Sequence, residues 1–236
     1  MKHAIIFLFL LTSFFTCSSK SSTESIAPAT ATVPTKATSP VATTSVAPTP
    51  DAVGTDLNGD GEPDFLEIRM TNREDRDLGK ERDLVLYSGS GDERKDWYTA
   101  KNVLLPTEGG GLMGDPLQDA SVVDNTIVIK HAGGSRQKWA YTHRFRWQNE
   151  DFQLVGITIQ TDDPCDKIVN LEYDLTTSKA QWAKTTMDCS ESEDNPSSSE
   201  AVYDFVLKSK ELFSMNGFLT GENEMKVPNM GESVYY

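Results

Sequence analysis

The chain has few cysteines, few histidines and few basic residues, and each shortage narrows the classes of function to consider. It contains three cysteines and three histidines among 236 residues. Neither Cys165 nor Cys189 lies in a C-x-x-C pair or near a histidine, which argues against a metal or catalytic role for either cysteine. Lysine and arginine together number 22, against 36 aspartates and glutamates.

The acidic excess is concentrated after residue 50, because three basic residues and one acidic residue lie before that point. This leaves 19 basic against 35 acidic residues between Asp51 and Tyr236, a net charge of −16. A surface of this charge repels phosphate backbones, so nucleic acid is not an expected partner. It attracts cations instead.

Motifs of the common enzyme classes are also missing. The glycine-rich run from Gly109 to Gly114 lacks the Gly-Lys-Ser/Thr ending of a phosphate-binding loop. A pairing of Ser135 with His131 would need an acid and an oxyanion hole that no local motif provides. His143 falls on the aromatic face of a predicted strand, which is typical of a packed, hydrogen-bonded histidine. We therefore expect no catalytic residues, and an envelope hydrolase is the least favoured of the functions considered.

The first residues predict export. Lys2 and His3 precede an apolar run from Ala4 to Leu11, which indicates a signal peptide over residues 1–16 that is too short to span a membrane. The following Phe-Phe-Thr-Cys sequence resembles a lipoprotein signal, although Phe and Thr replace its usual Leu and small residue. It predicts lipidation of Cys17 and anchoring in the cell envelope, at the outer membrane. Simple cleavage and secretion is the alternative.

Residues 17–55 predict a flexible tether, since they are rich in Ser, Thr, Ala and Pro and nearly lack large apolar side chains. Setting Cys17 aside leaves an even pair in an oxidising compartment. We therefore predict a disulfide between Cys165 and Cys189.

The sharpest motif is the nine-residue loop from Asp56 to Asp64, at the start of the predicted domain over residues 56–236. Its spacing of oxygen-bearing residues, with glycine at the sixth position, is what a hard divalent cation requires. We predict calcium as the cofactor. The expected ligands are the side chains of Asp56, Asn58, Asp60 and Asp64 and the main-chain carbonyl of Glu62. The alternative is a surface turn that binds nothing.

This loop resembles the calcium loops of FG-GAP and VCBS-type repeats, whose D-x-N-x-D-G-x-P-D signature leads into a β-strand. Glu67 falls where an EF-hand places its last ligand, but a linker rather than a helix precedes the loop. No second copy occurs, which argues against a propeller. Further segments, in this order, resemble uncharacterised bacterial envelope lipoproteins: Gly109–Pro116, Gly133–Ser135, Phe145–Trp147 and Phe152–Gly156. The resemblance implies architecture and location but no reaction.

The remaining sequence predicts a mostly β fold, with a single antiparallel sheet or sandwich-like domain built from successive hairpins. Alternation of apolar and polar residues is clearest from Trp139 to Trp147, where one face is aromatic. Turns are expected near Asp124, at residues 148–151 and at residues 176–178. Residues 198–213 fit either a helix or a strand, and we favour a strand.

Two non-catalytic functions remain. The first is a binding module at the envelope, in which exposed aromatic residues such as Trp97 and Tyr98 contact a glycan, peptide or protein. The second is an acidic inhibitor or immunity-type protein that neutralises a basic enzyme. Under either function the membrane is a further partner, which the protein contacts through its lipid anchor.

Overall fold

The computed structural model describes residues 54–190, 197–207 and 213–236. Within these ranges the chain is mostly β, as predicted, with two single-turn 3-10 helices at Gly91–Glu93 and Gly111–Met113. The strands are β1 (Asp64–Asp75), β2 (Gly79–Ser88), β3 (Lys95–Leu104), β4 (Leu117–Val123), β5 (Thr126–Gly134), β6 (Lys138–Gln148), β7 (Asp151–Asp163), β8 (Lys167–Asp174), β9 (Lys179–Asp188), β10 (Ser197–Val206), β11 (Glu224–Lys226) and β12 (Ser233–Tyr235).

All of these strands pair in antiparallel fashion. They form a three-stranded sheet, β1-β2-β3, a seven-stranded sheet in which β4 to β10 follow one another in chain order, and a two-stranded ribbon, β11-β12. The prediction of successive antiparallel hairpins is confirmed. The described residues divide into three sheets because the chain leaves β3 through the glycine-rich loop before the larger sheet begins.

The hairpin turns lie where the sequence predicts them. Asp124 and Asn125 join β4 to β5 with φ of 48° and 54°, and Asn149 and Glu150 join β6 to β7 with φ of 53° and 63°. Two-residue loops with positive φ at both positions match the twist of antiparallel strands, and asparagine and aspartate tolerate this conformation.

The seven-stranded sheet has one buried face. Along one row of cross-strand neighbours, Ile129, His143, Ile157 and Tyr173 lie side by side, and each is at most 3% exposed. The alternation predicted for residues 139–147 therefore does separate an inner from an outer face. The inner face forms the floor of the hydrophobic core.

The three-stranded sheet and the C-terminal segment cover this floor. Leu84 and Leu86 of β2 are fully buried in the same apolar cluster as Trp182 of β9, and Met215 and Phe218 of the C-terminal segment join it. The core thus lies between two sheets, which is the sandwich-like arrangement expected from the sequence.

The glycine-rich loop before β4 packs tightly against β5. Gly134 N–H donates to Gly110 O at 2.9 Å, and a Cβ added at Gly133 would lie 2.8 Å from Gly110 Cα and 2.4 Å from the ring of Trp139. Only glycine lets the two backbones approach this closely. The run therefore forms a tight loop that packs against the end of β5.

The segment that fitted either a helix or a strand is a strand where it is described. Its residues 197–206 form β10, which pairs with β9, and the inner-face ring of Tyr203 lies 5.8 Å from that of Trp182. Strand is therefore the correct assignment as far as Val206, because pairing with an open sheet edge outweighs a weak helical spacing. Residues 208–212 lie outside the described residues.

The predicted signal peptide over residues 1–16, the lipidated Cys17 and the tether up to residue 53 lie outside the described residues. In the part of the chain that is described, no helix has the length and apolar character needed to cross a membrane. The described chain begins at Gly54, and Thr55 already pairs with Asp64 at the start of β1.

Candidate functional site

The nine-residue loop predicted to bind calcium lies where the chain enters β1. Asp64 N–H donates to Thr55 O at 3.1 Å and closes the loop at its base, and the side chain of Leu57, 5% exposed, anchors it in the core. Gly59 and Gly61 have φ of 82° and 89°, values that side-chain-bearing residues rarely adopt. The sequence therefore folds this segment into a tight coil rather than an extended arm.

Three of the predicted ligands organise the coil through backbone donors. Asp56 Oδ1 accepts from Gly59 N–H at 2.6 Å and from Asp60 N–H at 3.1 Å, and Asp56 Oδ2 accepts from Gly61 N–H at 2.9 Å. Asn58 Oδ1 accepts from Asp60 N–H at 2.9 Å. These bonds hold the loop oxygens together before any ion is considered.

Asp60 shares in the same network. Its Oδ1 accepts from Glu62 N–H at 2.8 Å and its Oδ2 accepts from the side-chain amide of Asn58 at 2.9 Å. These hydrogen bonds lower the pKa of Asp60, the bond from Glu62 contributing most. Asp60 therefore stays ionised throughout the neutral range.

Asp64 differs from the other loop carboxylates because it is buried, with 3% exposure. Its Oδ2 accepts from Leu57 N–H at 2.8 Å, whereas its Oδ1 has no hydrogen-bond partner among the described residues. Burial raises the pKa of Asp64, and the charges of Asp60 and Asp56 raise it further. A buried carboxylate oxygen without a partner is costly, and it faces two more negative groups.

Trp97 of β3 lies beside this carboxylate. Its indole lowers the pKa of Asp64, yet Trp97 Nε1 is buried and has no partner of hydrogen-bonding geometry within the described ranges. The ring packs edge-on against Trp147 at 5.4 Å between centroids. The loop is thus in direct contact with the aromatic part of the core.

The expectation that Trp97 and Tyr98 are exposed contact residues is wrong. Both are half-buried, and both rings pack against Phe152, at 6.0 and 5.0 Å between centroids. Tyr98 also donates its hydroxyl to Asp151 at 2.7 Å. A register shift in the pairing of β2 with β3 turns the two neighbouring rings toward the same cluster.

The structure brings the predicted ligands into one loop but turns most of their oxygens toward its own N–H groups. Among the described residues no group of three or more His, Cys, Asp or Glu side chains is arranged to hold a metal ion. Glu67, at the twelfth position, lies on β1 and pairs with Arg69 at 3.0 Å and with Arg94. Glu67 is therefore occupied by ion pairs of the three-stranded sheet.

The predicted disulfide is confirmed. Cys165, in the turn between β7 and β8, bonds to Cys189 after the end of β9, with 5.2 Å between their Cα atoms. The bond ties a turn to the end of a neighbouring strand, which suits a structural role.

Two of the three histidines lie among the described residues, and both pack in the core. His131 and His143 are each 1% exposed. His131 Nε2 accepts from Leu105 N–H at 3.3 Å, and Ser135 lies exposed in the β5–β6 turn. The packed position predicted for His143 is correct. Its predicted hydrogen bonds are not found, because neither ring nitrogen has a partner within the described ranges.

An open groove on the outer face of the seven-stranded sheet is the main feature that the sequence analysis missed. Its volume is about 920 Å³, and Arg144, Arg146, Gly156 and Glu172 are among its lining residues. The available signal was two arginines at alternate positions of a strand whose other face is aromatic, within an acid-rich domain.

No family model matches the chain, and neither a curated protein nor a solved structure matches it. The resemblance to FG-GAP and VCBS-type loops and to envelope lipoproteins therefore stays a prediction.

Proposed function

We propose that the protein is a calcium-stabilised β domain, anchored to the cell envelope through a lipid on Cys17, that serves as a binding module. The observation that carries the calcium part is Asp64 Oδ1, a buried carboxylate oxygen without a partner at the base of the Asp56–Asp64 loop. It points to a ligand that the loop's own donors do not supply.

A hard divalent cation fits this requirement. It would offset the burial, and the neighbouring charges of Asp60 and Asp56, that raise the pKa of Asp64, and it takes oxygen ligands at the spacing found here. The side chains of Asp56, Asn58, Asp60 and Asp64 and the carbonyl of Glu62 would hold it. The ion supplies charge neutralisation and a fixed loop.

The role of such an ion is structural, since the loop fastens the point where the chain enters the first sheet. At calcium tenfold above the dissociation constant, occupancy stabilises the folded state by about 1.4 kcal/mol. This is a modest contribution, comparable to one or two hydrogen bonds.

The anchor and the tether complete the proposal. Several acyl chains on Cys17 would hold the protein firmly at the outer membrane, and a Pro-rich tether up to residue 55 would keep the domain clear of the surface. The expected partners are the membrane, through that anchor, and an envelope protein or glycan.

A binding module is preferred to an acidic inhibitor because the groove on the outer face of the seven-stranded sheet presents arginines as well as carboxylates. An inhibitor that acts through charge alone would present a uniformly acidic surface to a basic enzyme. Its binding would weaken steeply with salt, and recovery of a basic enzyme only at low salt would favour that alternative.

Calcium binding can be measured with the indole that lies beside the loop. We expect addition of calcium to the chelator-treated protein to change the fluorescence of Trp97 and to raise the melting temperature. Asp64→Asn should weaken binding at least tenfold, because it removes a charged ligand. Asp92→Asn is the matched control, since it makes the same change at an exposed position in the 3-10 helix after β2.

Trp97→Phe should abolish the fluorescence change while leaving calcium binding measurable by calorimetry. If calcium produces no heat, no shift in melting temperature and no fluorescence change at millimolar concentration, the calcium proposal is wrong.

The anchor has its own test. Cells expressing the protein are labelled with a palmitate analogue, and we expect label and membrane association for the wild type and neither for Cys17→Ser. The binding function is tested by capture from envelope extracts, where a specific partner should be recovered at physiological salt. Failure to recover any partner by the intact protein would count against a binding module.

A further inference from the structure

The outer face of the seven-stranded sheet carries a chain of cross-strand neighbours at the centre of the groove. Arg144 of β6 lies opposite Gly156 of β7, and Gly156 lies opposite Asp174 of β8. In the next row Thr158 lies opposite Glu172. Directly paired residues project from the same face of a sheet, so these side chains share the groove floor.

The two arginines of the groove lack carboxylate partners in a domain that has carboxylates in excess. Arg144 Nη1 donates to Thr158 Oγ1 at 3.1 Å, and Arg146 donates through Nε and Nη2 to Thr126 Oγ1 at 3.3 Å. Within the described ranges neither arginine forms an ion pair, whereas four others do: Arg69, Arg73, Arg82 and Arg94.

Gly156 gives the guanidinium of Arg144 its position. A Cβ added at Gly156 would lie 3.5 Å from Arg144 Cδ and 3.6 Å from Arg144 Nη1, so the side chain lies directly over the glycine. An alanine Cβ would fit at ordinary van der Waals contact, whereas a side chain with further atoms would compete with the arginine for this space. Both arginines line the groove and have N–H donors beyond those used for the threonines, so a carboxylate there can accept from them in pairs.

The opposite charge lies two strands away. Glu172 is exposed on β8 and has no ion-pair partner among the described residues, while the nearby Asp174 caps the turn after β8 and lies opposite Lys179. Glu172 lies two strands across from Arg144 and two residues along, a backbone separation of about 12 Å. An extended peptide rises about 3.3 Å per residue, so this separation corresponds to between three and four residues.

We propose that this groove binds an extended peptide segment, with Arg144 and Arg146 holding a carboxylate and Glu172 holding a basic group three or four residues away. This deepens the binding-module function by naming its ligand, and it rests on that proposal for the class of function alone. A polyanion does not fit, because the domain as a whole is acidic and the groove lining includes the carboxylates Asp124, Glu172, Asp174 and Asp204, on both sides of the two arginines.

The proposal is tested with acetylated, amidated Gly/Ala hexapeptides that carry one Asp and one Lys at separations of one to four residues, in both orders. Binding to the purified protein is measured by calorimetry. We expect a separation of three or four residues, in one order, to bind at least tenfold more tightly than the one-residue separation. Replacing Asp by Asn in that peptide should remove the advantage.

Variants assign the charges to residues. The double substitution Arg144→Gln and Arg146→Gln should lower the affinity for the preferred peptide at least tenfold. The corresponding lysine variants should restore only part of this affinity, because lysine lacks the paired donors. Arg76→Gln with Arg136→Gln is the control, since it removes the same charge from two turns and should leave affinity unchanged. Glu172→Gln should abolish the preference for Lys and keep that for Asp.

The results also separate this inference from the binding-module proposal. If the glutamine variant at Arg144 and Arg146 is folded by circular dichroism and binds the peptides as well as wild type, the groove assignment is wrong. If that variant still recovers the same envelope partner, the protein remains a binding module, but it binds that partner through a surface other than the groove. Binding of an oligogalacturonate but of no peptide would overturn the peptide assignment.

Discussion

The stability of the domain should fall when the pH is lowered from 7 to 5, because two histidines are buried as neutral rings. Burial is the main cause that lowers the pKa of His143 to about 3, with the charges of His131 and Arg144 contributing. The pKa of His131 is lowered to about 4, mainly by burial. The charge of Arg82 also lowers this pKa, and the charge of Asp115 raises it.

The sign and size follow from linkage. Unfolded histidine has a pKa of about 6.5, so below that pH the unfolded chain binds protons that the folded chain excludes, and stability is lost as the pH falls toward the folded values. At pH 5, protonation of each histidine in the unfolded chain lowers the free energy of unfolding by about 2 kcal/mol relative to its value well above pH 6.5. The two histidines together lower it by about 4 kcal/mol. That is a large part of a typical domain stability.

Urea unfolding followed by circular dichroism at pH 7, 6 and 5, at constant calcium, measures this loss. His143→Leu should lose only about 2 kcal/mol over the same range, since one titrating ring remains. It should also be no less stable at pH 7, because the ring nitrogens of His143 have no partners among the described residues. Ile157→Leu, a buried neighbour across from His143, is the control and should keep the full pH dependence.

Equal loss in His143→Leu and wild type, or constant stability between pH 7 and pH 5, would refute the assignment of neutral buried histidines.

Three further changes test the packing. Replacing Cys165 and Cys189 with serine should cost about 3 to 4 kcal/mol in the chain-entropy estimate for a closed loop of about 25 residues, and urea unfolding with and without reductant checks it. Arg82→Met should cost about 1 to 3 kcal/mol, because it removes a buried guanidinium that donates to Asp115 and to the Leu105 carbonyl and leaves that carbonyl without these donors, and thermal unfolding measures the loss. Gly133→Ala should cost about 1 to 3 kcal/mol, since its Cβ would collide with backbone and indole, and a normal melting temperature would contradict that packing.

Local chemistry predicted much of the fold. Asp124-Asn125 and Asn149-Glu150 signal two-residue turns because these residue types accept positive φ or fit tight turns, and alternation from Trp139 to Trp147 signals a strand with one buried face. The disulfide followed from cysteine parity and compartment. Each of these inferences needs only neighbours in sequence or a count.

The features that were missed depend on contacts between distant segments. Arg82 meets Asp115 across 33 residues, and neither residue is marked by its local sequence. Trp97 and Tyr98 are adjacent, so simple alternation exposes one of them, yet the register shift between β2 and β3 buries part of both. The groove likewise arises only when Arg144 and Glu172 are brought to one face by three strands in register.

Calcium and peptide should act through opposite faces of the same strands. Trp97, beside the loop, packs on Trp147 and Phe152 at the inner face, whereas Arg144 and Arg146 project from the outer face of β6. The loop meets the rim of the groove only through Asn125 Nδ2, which donates to Asp56 O at 3.3 Å among the described residues, and this bond involves none of Arg144, Arg146 and Glu172. We expect calcium removal to lower the melting temperature while changing the affinity of the folded protein for the preferred peptide less than twofold, as measured by calorimetry well below the melting transition. A tenfold change would show that the sheet transmits the state of the loop to the groove, because a ligand shifts an equilibrium only through its different affinities for two states.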